Sequence, residues 1–318
     1  MRLVPLGGTG VEVSTLGVGT WAMGAGEGGS SGLGPADDAD SVAAIHRGLE
    51  LGMNWVHTAP YYGFGHAERI VARALKGIAR RPFVFTMCGL VPSRGGPETH
   101  DFRLKAWSIE EEIQASLRRL ETDVLDLVFL HWPIPDEDIE EGWQALSAIR
   151  TRGDVRFIGV SNFSVDQMDR CAAIAPIDVI QPELSLAVRA AEETVLPYAD
   201  DHGIGSLIYS PLKHGLLSGR MTRERVAQLT DTDWRRGHAE FSEPRLTRNL
   251  AIVEALDDIA ASHGCSAAEV AVAWALARPG VTAAITGGRH ARQVDEVAGA
   301  AAVALSAEDV ATLDSVSS

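Results

Sequence analysis

The stretch MNWVHTAPYYGFG (residues 53–65) decides the fold that this sequence predicts. It begins as a short apolar strand, ends that strand at His57, and places Tyr62 in the following loop. The same arrangement recurs in FVFTMCG and LDLVFLHWP, where Met87 and His131 come at the ends of apolar runs. Side chains at the C-terminal ends of buried parallel strands are typical of the active-site rim of a (β/α)8 barrel.

Outward from this stretch, strand-like apolar runs alternate with amphipathic helical stretches. Continuous apolar runs predict strands buried on both faces, as in a parallel sheet. They cover 16–21, 53–58, 83–88, 124–130, 156–161, 178–184, 205–210 and 282–287. Residues 2–6 and 11–15 flank Gly7-Gly8 and predict a hairpin that closes the N-terminal face. We therefore expect an α/β fold, a single (β/α)8 TIM barrel with an N-terminal β-hairpin, in one domain over residues 1–318.

Three segments fall outside this repeat. Residues 24–36 are rich in Gly and Ser and predict a mobile loop, and residues 91–107 and 218–246 predict long loops after the third and seventh strands. Because all three follow strands, we expect them to lie over the mouth of the barrel, where loops shape substrate access.

Composition limits the partners. A formal charge of −15 argues against sequence-independent binding of nucleic acid, which needs a basic face. The three cysteines have no metal-ligand spacing and predict reduced thiols in the cytoplasm. No apolar run is long enough to span a membrane, and no signal peptide or metal site is recognisable. A small-molecule substrate is the expected partner; the oligomeric state is left open.

Six segments, in order, carry a resemblance that runs nearly end to end. They are LGVGTWAMG, LGMNWVHTAPYYGFGHAERIVARALK, HWP, GVSNF, YSPLKHGLLSGR and ITGGRHARQVDE. This ordered set resembles the aldo-keto reductase family. The resemblance implies an NADP(H)-using barrel that reduces carbonyls or oxidises alcohols.

The resemblance also implies where the nicotinamide binds. Ser161, Asn162 and Gln181 should hold its carboxamide, a group that needs both donors and acceptors. Tyr209 should stack on the nicotinamide ring.

The remaining cofactor positions follow in the same way. Residues of the YSPLKHG segment should receive the pyrophosphate on backbone N–H groups. These are Ser210, Leu212 and Gly215. Gly287 and Arg289 should meet the adenosine ribose and its 2′-phosphate, for which a guanidinium is well suited. Gln293 and Glu296 should lie near the adenine; where the family usually has an asparagine next, this chain has Val297.

The catalytic positions depart from the family pattern of Asp, Tyr, Lys and His. Tyr62 matches the tyrosine and His131 the histidine, but His57 stands at the aspartate position and Met87 at the lysine position. Loss of only one member of a buried ion pair would strand a charge at a cost of roughly 3–5 kcal/mol. Replacement of both members avoids that cost and indicates a coordinated change.

This change has a chemical consequence. A nearby ammonium would favour the phenolate of Tyr62, and Met87 cannot supply one. Two interpretations of His57 stay open: a protonated imidazole that partly replaces the lysine, or a neutral residue that fills the vacated volume. Trp21, Met87 and Trp132 are expected around an apolar substrate pocket, although simple packing also accounts for Met87. Glu68, near the start of a helix, is expected at the surface.

Three functions remain in view. The first is an NADP(H)-dependent oxidoreductase acting on a small carbonyl or alcohol, in which Tyr62, His57 and His131 handle the proton. The second is a redox-neutral enzyme on the same scaffold, such as a dehydratase, epimerase or lyase. The third is a non-catalytic NADP(H)-binding protein.

Overall fold

The computed structural model describes residues 1–24, 36–93, 100–231 and 233–318. Within these ranges the strands are numbered in chain order. They are β1 (Leu3–Pro5), β2 (Glu12–Ser14), β3 (Leu16–Gly19), β4 (Trp55–His57), β5 (Phe83–Cys88), β6 (Leu90–Pro92), β7 (His100–Phe102), β8 (Leu125–Leu130), β9 (Val155–Ser161), β10 (Val179–Gln181), β11 (Gly205–Ile208) and β12 (Ala283–Gly287).

Helices follow most of the strands. They are α1 (Asp38–Glu50), α2 (His66–Leu75), α3 (Ala106–Arg119), α4 (Ile139–Arg152), α5 (Val165–Ala172), α6 (Val195–Asp201), α7 (Arg223–Ala227), α8 (Arg245–His263), α9 (Ala267–Leu276), α10 (Ala291–Ala298) and α11 (Ala307–Val316). Ser164, Ser266 and Ser306 begin α5, α9 and α11 with reciprocal capping boxes, which satisfy N–H groups that the helices leave without partners.

Eight strands close into a parallel barrel, which confirms the fold expected from the sequence. Their order is β3-β4-β5-β8-β9-β10-β11-β12, and β12 pairs back onto β3. Parallel pairing brings all their C-terminal ends to one rim. Most of the observed strands are shorter than the apolar runs that predicted them, and 178–184 is reduced to Val179–Gln181, whereas β5 matches its run and β9 is one residue longer.

The core has two layers. Alternate strand residues point inward and fill the barrel, with Trp55, Phe85 and Phe129 as its largest members. The other residues point outward and pack against the helices. The hairpin β1–β2 closes the N-terminal end, where Leu6 packs into the inner layer and the N–H of Gly8 donates to the Gly203 carbonyl at 3.0 Å.

Two of the predicted loops contain regular structure. Residues 91–107 were expected to form a loop, but β6 and β7 form an antiparallel hairpin there and α3 begins at Ala106. The prediction was wrong because this hairpin is too short to show a strand periodicity in the sequence. The segment 218–246 includes α7 and two short 3-10 turns. Of the expected mobile loop 24–36, residues 25–35 lie outside the described ranges.

No single helix among the described residues has both the length and the apolar character to cross a membrane. By those two criteria only α8 and α9 taken together could, and they are bent by 96° at the break between them.

Candidate active site

Three polar rings predicted at strand ends meet at the C-terminal rim of the barrel. His57 is the last residue of β4, and His131 follows β8, where its N–H donates to the Cys88 carbonyl at 2.9 Å. The ring centroids of His57 and Tyr62 are 6.1 Å apart, and those of Tyr62 and His131 are 6.4 Å apart. The structure therefore brings together two imidazoles and a phenol that lie far apart in the sequence.

The backbone around Tyr62 is fixed by its own loop. The Tyr62 N–H donates to the Ala59 carbonyl at 3.1 Å, and its carbonyl accepts from Ala67 at the start of α2. Gly63 follows in a left-handed conformation with φ of +62°, and a Cβ there would lie 1.7 Å from the Gly24 carbonyl oxygen. Only glycine fits this position, because the loop after β4 packs directly against the loop after β3.

His57 is held as a neutral imidazole. Its exposed fraction is 2%, and burial, with a smaller contribution from His131, lowers its pKa to about 3. No described residue forms a hydrogen bond with its buried Nε2 atom. Of the two interpretations left open by the sequence, the structure favours the neutral one, because desolvation disfavours the imidazolium.

The other two rings are also uncharged near neutral pH. Burial, followed by the charge of His100, lowers the pKa of His131 to about 3, and its Nδ1 atom is buried without a partner among the described residues. Burial, followed by Tyr61, raises the pKa of the Tyr62 phenol above its usual range. The site thus holds proton donors, and the part of the chain that the structure describes places no cation beside the phenol.

Met87 does not line the pocket as expected. It is 1% exposed and belongs to the inner core, against which Tyr62 packs. The uncharged thioether of Met87 packs with the apolar side chains of this inner core. Trp21 and Trp132 are partly exposed at the rim, and Trp132 stacks on His131 with ring centroids 6.2 Å apart and planes 23° apart.

A polar network lies next to His131 on the rim, at the ends of β9 and β10. Ser161 donates to the Gln181 carbonyl at 2.9 Å, and Asn162 donates to the His131 carbonyl at 2.9 Å. The Tyr209 hydroxyl donates to the amide oxygen of Asn162 at 2.7 Å. The buried Nε2 group of Gln181 has no described acceptor, and Gln181 lines a cavity of about 350 Å³ with Asn162 and Tyr209.

This network fits the carboxamide of a nicotinamide. Gln181 presents a buried amide donor that has no acceptor among the described residues, and a carboxamide oxygen would satisfy it. Tyr209 is fixed beside the cavity by its bond to Asn162, with its ring available as a wall.

The loop after β11 has the backbone of an anion site. Ser210, Lys213, His214 and Gly215 all have positive φ, between 43° and 88°. Within the described residues the N–H of Leu212 has no backbone or side-chain acceptor, whereas the N–H of Gly215 donates to the Leu212 carbonyl at 3.0 Å. Successive left-handed residues turn N–H groups toward one side, as in phosphate-binding nests.

Residues predicted to hold the adenosine end follow β12. Gly287 pairs with Gly19, and a Cβ at Gly287 would lie 3.1 Å from the Gly19 carbonyl oxygen. The Arg289 N–H donates to the side-chain oxygen of Gln293 at 2.7 Å. The carboxylate of Glu296 is held by two guanidinium groups, at 2.6 Å and 3.0 Å, and these belong to Arg220 and Arg292.

Comparison with known proteins now decides the family. The model of the Aldo/keto reductase family matches residues 15–318. The chain belongs to the aldo-keto reductase family. It is 37% identical to the aldo-keto reductase YhdN of Bacillus subtilis, over 99% of this chain and 93% of that protein. It is 33% identical to the NADH-specific methylglyoxal reductase of Escherichia coli, over 97% and 96% respectively.

Solved structures agree with this placement. The glycerol dehydrogenase AKR11B4 of Gluconobacter oxydans superposes with a TM-score of 0.89 at 34% identity, covering 99% of this chain and 94% of that one. The holo form of the aldo-keto reductase AKR11C1 of Bacillus halodurans gives 0.81 at 26% identity, covering 99% and 96%.

Sequence reasoning missed two buried charges in this aldo-keto reductase. Glu68 was expected at the surface, but it is fully buried, bonds Thr86 at 2.8 Å and pairs with Arg119 at 2.5 Å. Glu68 lies three residues before Val71, and this spacing places both side chains on the apolar face of α2. The sequence therefore contained a signal that Glu68 is buried. Lys213, 5% exposed, pairs with Glu183 at 2.5 Å. Nothing in the sequence links these two residues, because the barrel alone brings them together.

Proposed function

We propose that this protein is an NADP(H)-dependent oxidoreductase that acts on a small carbonyl or alcohol. The observation that carries the proposal is the juxtaposition, on one rim, of the Tyr62–His131 pair with the unpartnered donor of Gln181. Proton donors and a carboxamide-binding group are the two halves that carbonyl reduction requires.

NADP(H), when bound, supplies the hydride. Ser161, Asn162 and Gln181 would hold its carboxamide, and Tyr209 would form one wall of that recess. The loop at Leu212 would hold the pyrophosphate on its free N–H. Arg289 would read the 2′-phosphate and Gln293 and Glu296 would border the adenine. A charge of −15 offers no basic face to nucleic acid, and the three free cysteines suit the reducing cytoplasm that we propose as its location.

The protein's own residues handle the proton. The Tyr62 hydroxyl donates its proton to the carbonyl oxygen as charge develops there, and His131 at the neighbouring strand end orients the same oxygen. His57 and Met87 are buried within the barrel, and Tyr62 packs against the core cluster that contains Met87. The structure describes no ammonium next to the phenol, which is therefore a weak acid, and we expect slow turnover of ordinary aldehydes.

The decisive experiment measures oxidation of NADPH with benzaldehyde by the parent protein and by Tyr62→Phe. General acid catalysis is worth about 10²- to 10⁴-fold, so Tyr62→Phe should lower kcat by a factor in that range. Tyr198→Phe is the matched control, because that phenol bonds Asp169 on the helical exterior. A parent that reduces benzaldehyde at the same rate as Tyr62→Phe would contradict the role of Tyr62.

One observation favours a second candidate. Two neutral imidazoles flank the phenol, and no cation among the described residues stabilises its anion; this arrangement suits proton shuttling without net hydride transfer. A redox-neutral dehydratase, epimerase or lyase would convert substrate while the absorbance of NADPH stays constant. Product analysis beside the absorbance measurement separates the two candidates.

A further inference from the structure

The hairpin β6–β7 carries an exposed imidazole to the edge of the site. Pro92 pairs with His100 and Leu90 with Phe102 across the hairpin. The hairpin is anchored from below, where the Gly89 N–H donates to the carboxylate of buried Glu112 at 2.8 Å. His100 is exposed to solvent, and its ring centroid is 5.0 Å from that of Tyr61.

From His100 a continuous series of rings leads into the barrel. Tyr61 lies 6.5 Å from His131, His131 lies 6.4 Å from Tyr62, and Tyr62 lies 6.1 Å from His57, measured between ring centroids. The series begins in solvent and ends at a residue that is 2% exposed. The Tyr61 and Tyr62 hydroxyls form no hydrogen bond with other described residues, so each is free to bond a water between neighbouring rings.

The inner part of the site has no proton reserve of its own. His57 and His131 are neutral, and the phenol of Tyr62 loses one proton for each carbonyl reduced. Across the rim, the ammonium of Lys213 is bound to Glu183. Among the described residues, His100 is the imidazole at the solvent edge of this series of rings.

The structure describes the following charged and titratable neighbours of His100 and the hairpin. Asp101 and Arg103 on the hairpin pair with each other at 3.5 Å, and Tyr61 faces His100 from the loop after β4. Beneath the hairpin, Cys88 and Glu112 are buried, and burial raises the pKa of both groups. Of these described neighbours, Tyr61 continues the series of rings toward Tyr62, through His131.

We propose that His100 is the solvent-side end of a proton path that runs through Tyr61 and His131 to Tyr62. This inference rests on the proposed function, for which it names the source of the proton. In this proposal His100 does not act on the reacting atoms directly. It acts from a distance, through Tyr61 and His131, and so has a positioning role.

The path conserves charge at every transfer. The carbonyl carbon gains the hydride with its two electrons, and the carbonyl oxygen takes the proton of the Tyr62 hydroxyl. The resulting phenolate takes a proton from one nitrogen of His131, while the other nitrogen gains one from the Tyr61 hydroxyl. Tyr61 is reprotonated by the imidazolium of His100, which has taken its proton from water. A neutral imidazole can relay in this way because its two nitrogens exchange donor and acceptor roles.

The first test needs neither cofactor nor turnover. In the full chain labelled with ¹⁵N-histidine, NMR measures the rate at which the ring N–H of His57 exchanges with water. His100→Gln and Tyr61→Phe should each slow this exchange by about tenfold, the lower part of the range for a missing acid–base group. His202→Gln is the control, because His202 is exposed at the end of α6 and stacks only on Tyr198. An exchange rate in His100→Gln equal to that of the parent would overturn the path.

The second test uses the reaction. In His100→Gln, kcat with NADPH and benzaldehyde should fall by about tenfold, and free imidazole should restore the rate of His100→Ala. A purely structural effect of the hairpin would alter KM and would not respond to imidazole. A kcat in His100→Gln equal to that of the parent overturns the path even if the protein is an active reductase. If no carbonyl is reduced but His57 exchange slows in His100→Gln, the path stands and the proposed function fails.

Discussion

The two sides of the barrel rim differ in how their polar groups are satisfied. On the side of β9 and β10, Ser161, Asn162 and Tyr209 form a connected network that leaves one donor of Gln181 free. On the side of β4 and β8, His57 and His131 each keep a buried nitrogen without a described partner. The first side offers a free donor, whereas the second presents two imidazoles and a phenol with no described cation beside them. Under the proposed function, different strands of one rim supply cofactor binding and proton chemistry.

The largest expected effect comes from placing one charge on the side of β4 and β8. Met87→Lys would place an ammonium at a site that is 1% exposed and belongs to an apolar cluster. An unpaired buried charge costs roughly 3–5 kcal/mol, so the free energy of unfolding in urea should fall by about that amount. Met221→Lys is a control at a second buried methionine, in the separate cluster around Phe241. If Met87→Lys is as stable as the parent, a counter-charge must reach the position.

Low pH should reduce the contribution of His57, on the same side of the rim, to the stability of the fold. The pKa of His57 is lowered from 6.5 to about 3, so the unfolded chain binds more protons than the folded chain between these values. The contribution of His57 to stability is complete above pH 6.5 and decreases as the pH falls toward 3. One such group gives about 1.4 kcal/mol per pH unit, or roughly 3 kcal/mol over two units.

Urea unfolding at several pH values checks this expectation. His57→Gln should reduce the pH slope of stability by the contribution of one histidine, and His202→Gln, which alters an exposed ring, should leave the slope unchanged. Equal slopes in His57→Gln and the parent would mean that His57 is protonated in the folded state.

The variant Arg289→Ala tests the proposed binding of the cofactor 2′-phosphate. A charge-assisted hydrogen bond is worth about 1.5–3 kcal/mol, so the Kd for NADPH in a fluorescence titration should rise by roughly 10- to 150-fold. NADH, which lacks the 2′-phosphate, serves as the control ligand and should lose little affinity. Equal losses for both cofactors would mean that Arg289 does not read the phosphate, and a parent that prefers NADH would remove that role altogether.

The smallest expected effect comes from restoring a charged pair on the side of β4 and β8. His57→Asp together with Met87→Lys restores a buried ion pair beside Tyr62, so the pKa of the phenol should fall and reduction of benzaldehyde should accelerate by about tenfold. The single variant His57→Asp is the comparison, because it adds a carboxylate without the ammonium and should not accelerate the reaction. A double variant that folds, binds NADPH and is no faster would show that the proton supply does not limit the rate.

The barrel was readable from the sequence because strand burial leaves a local signature. Continuous apolar runs ending at His57, Met87 and His131 predict parallel strands, and parallel strands place their ends on one rim whatever the details of packing. The order of the family motifs gave the candidate cofactor residues by position alone. The hairpin of β6 and β7 escaped because three-residue strands carry no periodicity.

The sequence by itself therefore determined the fold, the family resemblance and the identity of the groups on the rim. Only the tertiary structure decided their state. Burial made His57 neutral, enclosed Met87 in the inner core against which Tyr62 packs, and paired Lys213 with Glu183 across a distance that the sequence does not reveal. The packing of a hairpin placed His100 beside Tyr61. Local patterns specify which residues enter a strand, but protonation and contact depend on neighbours from distant segments, which only the closed barrel supplies.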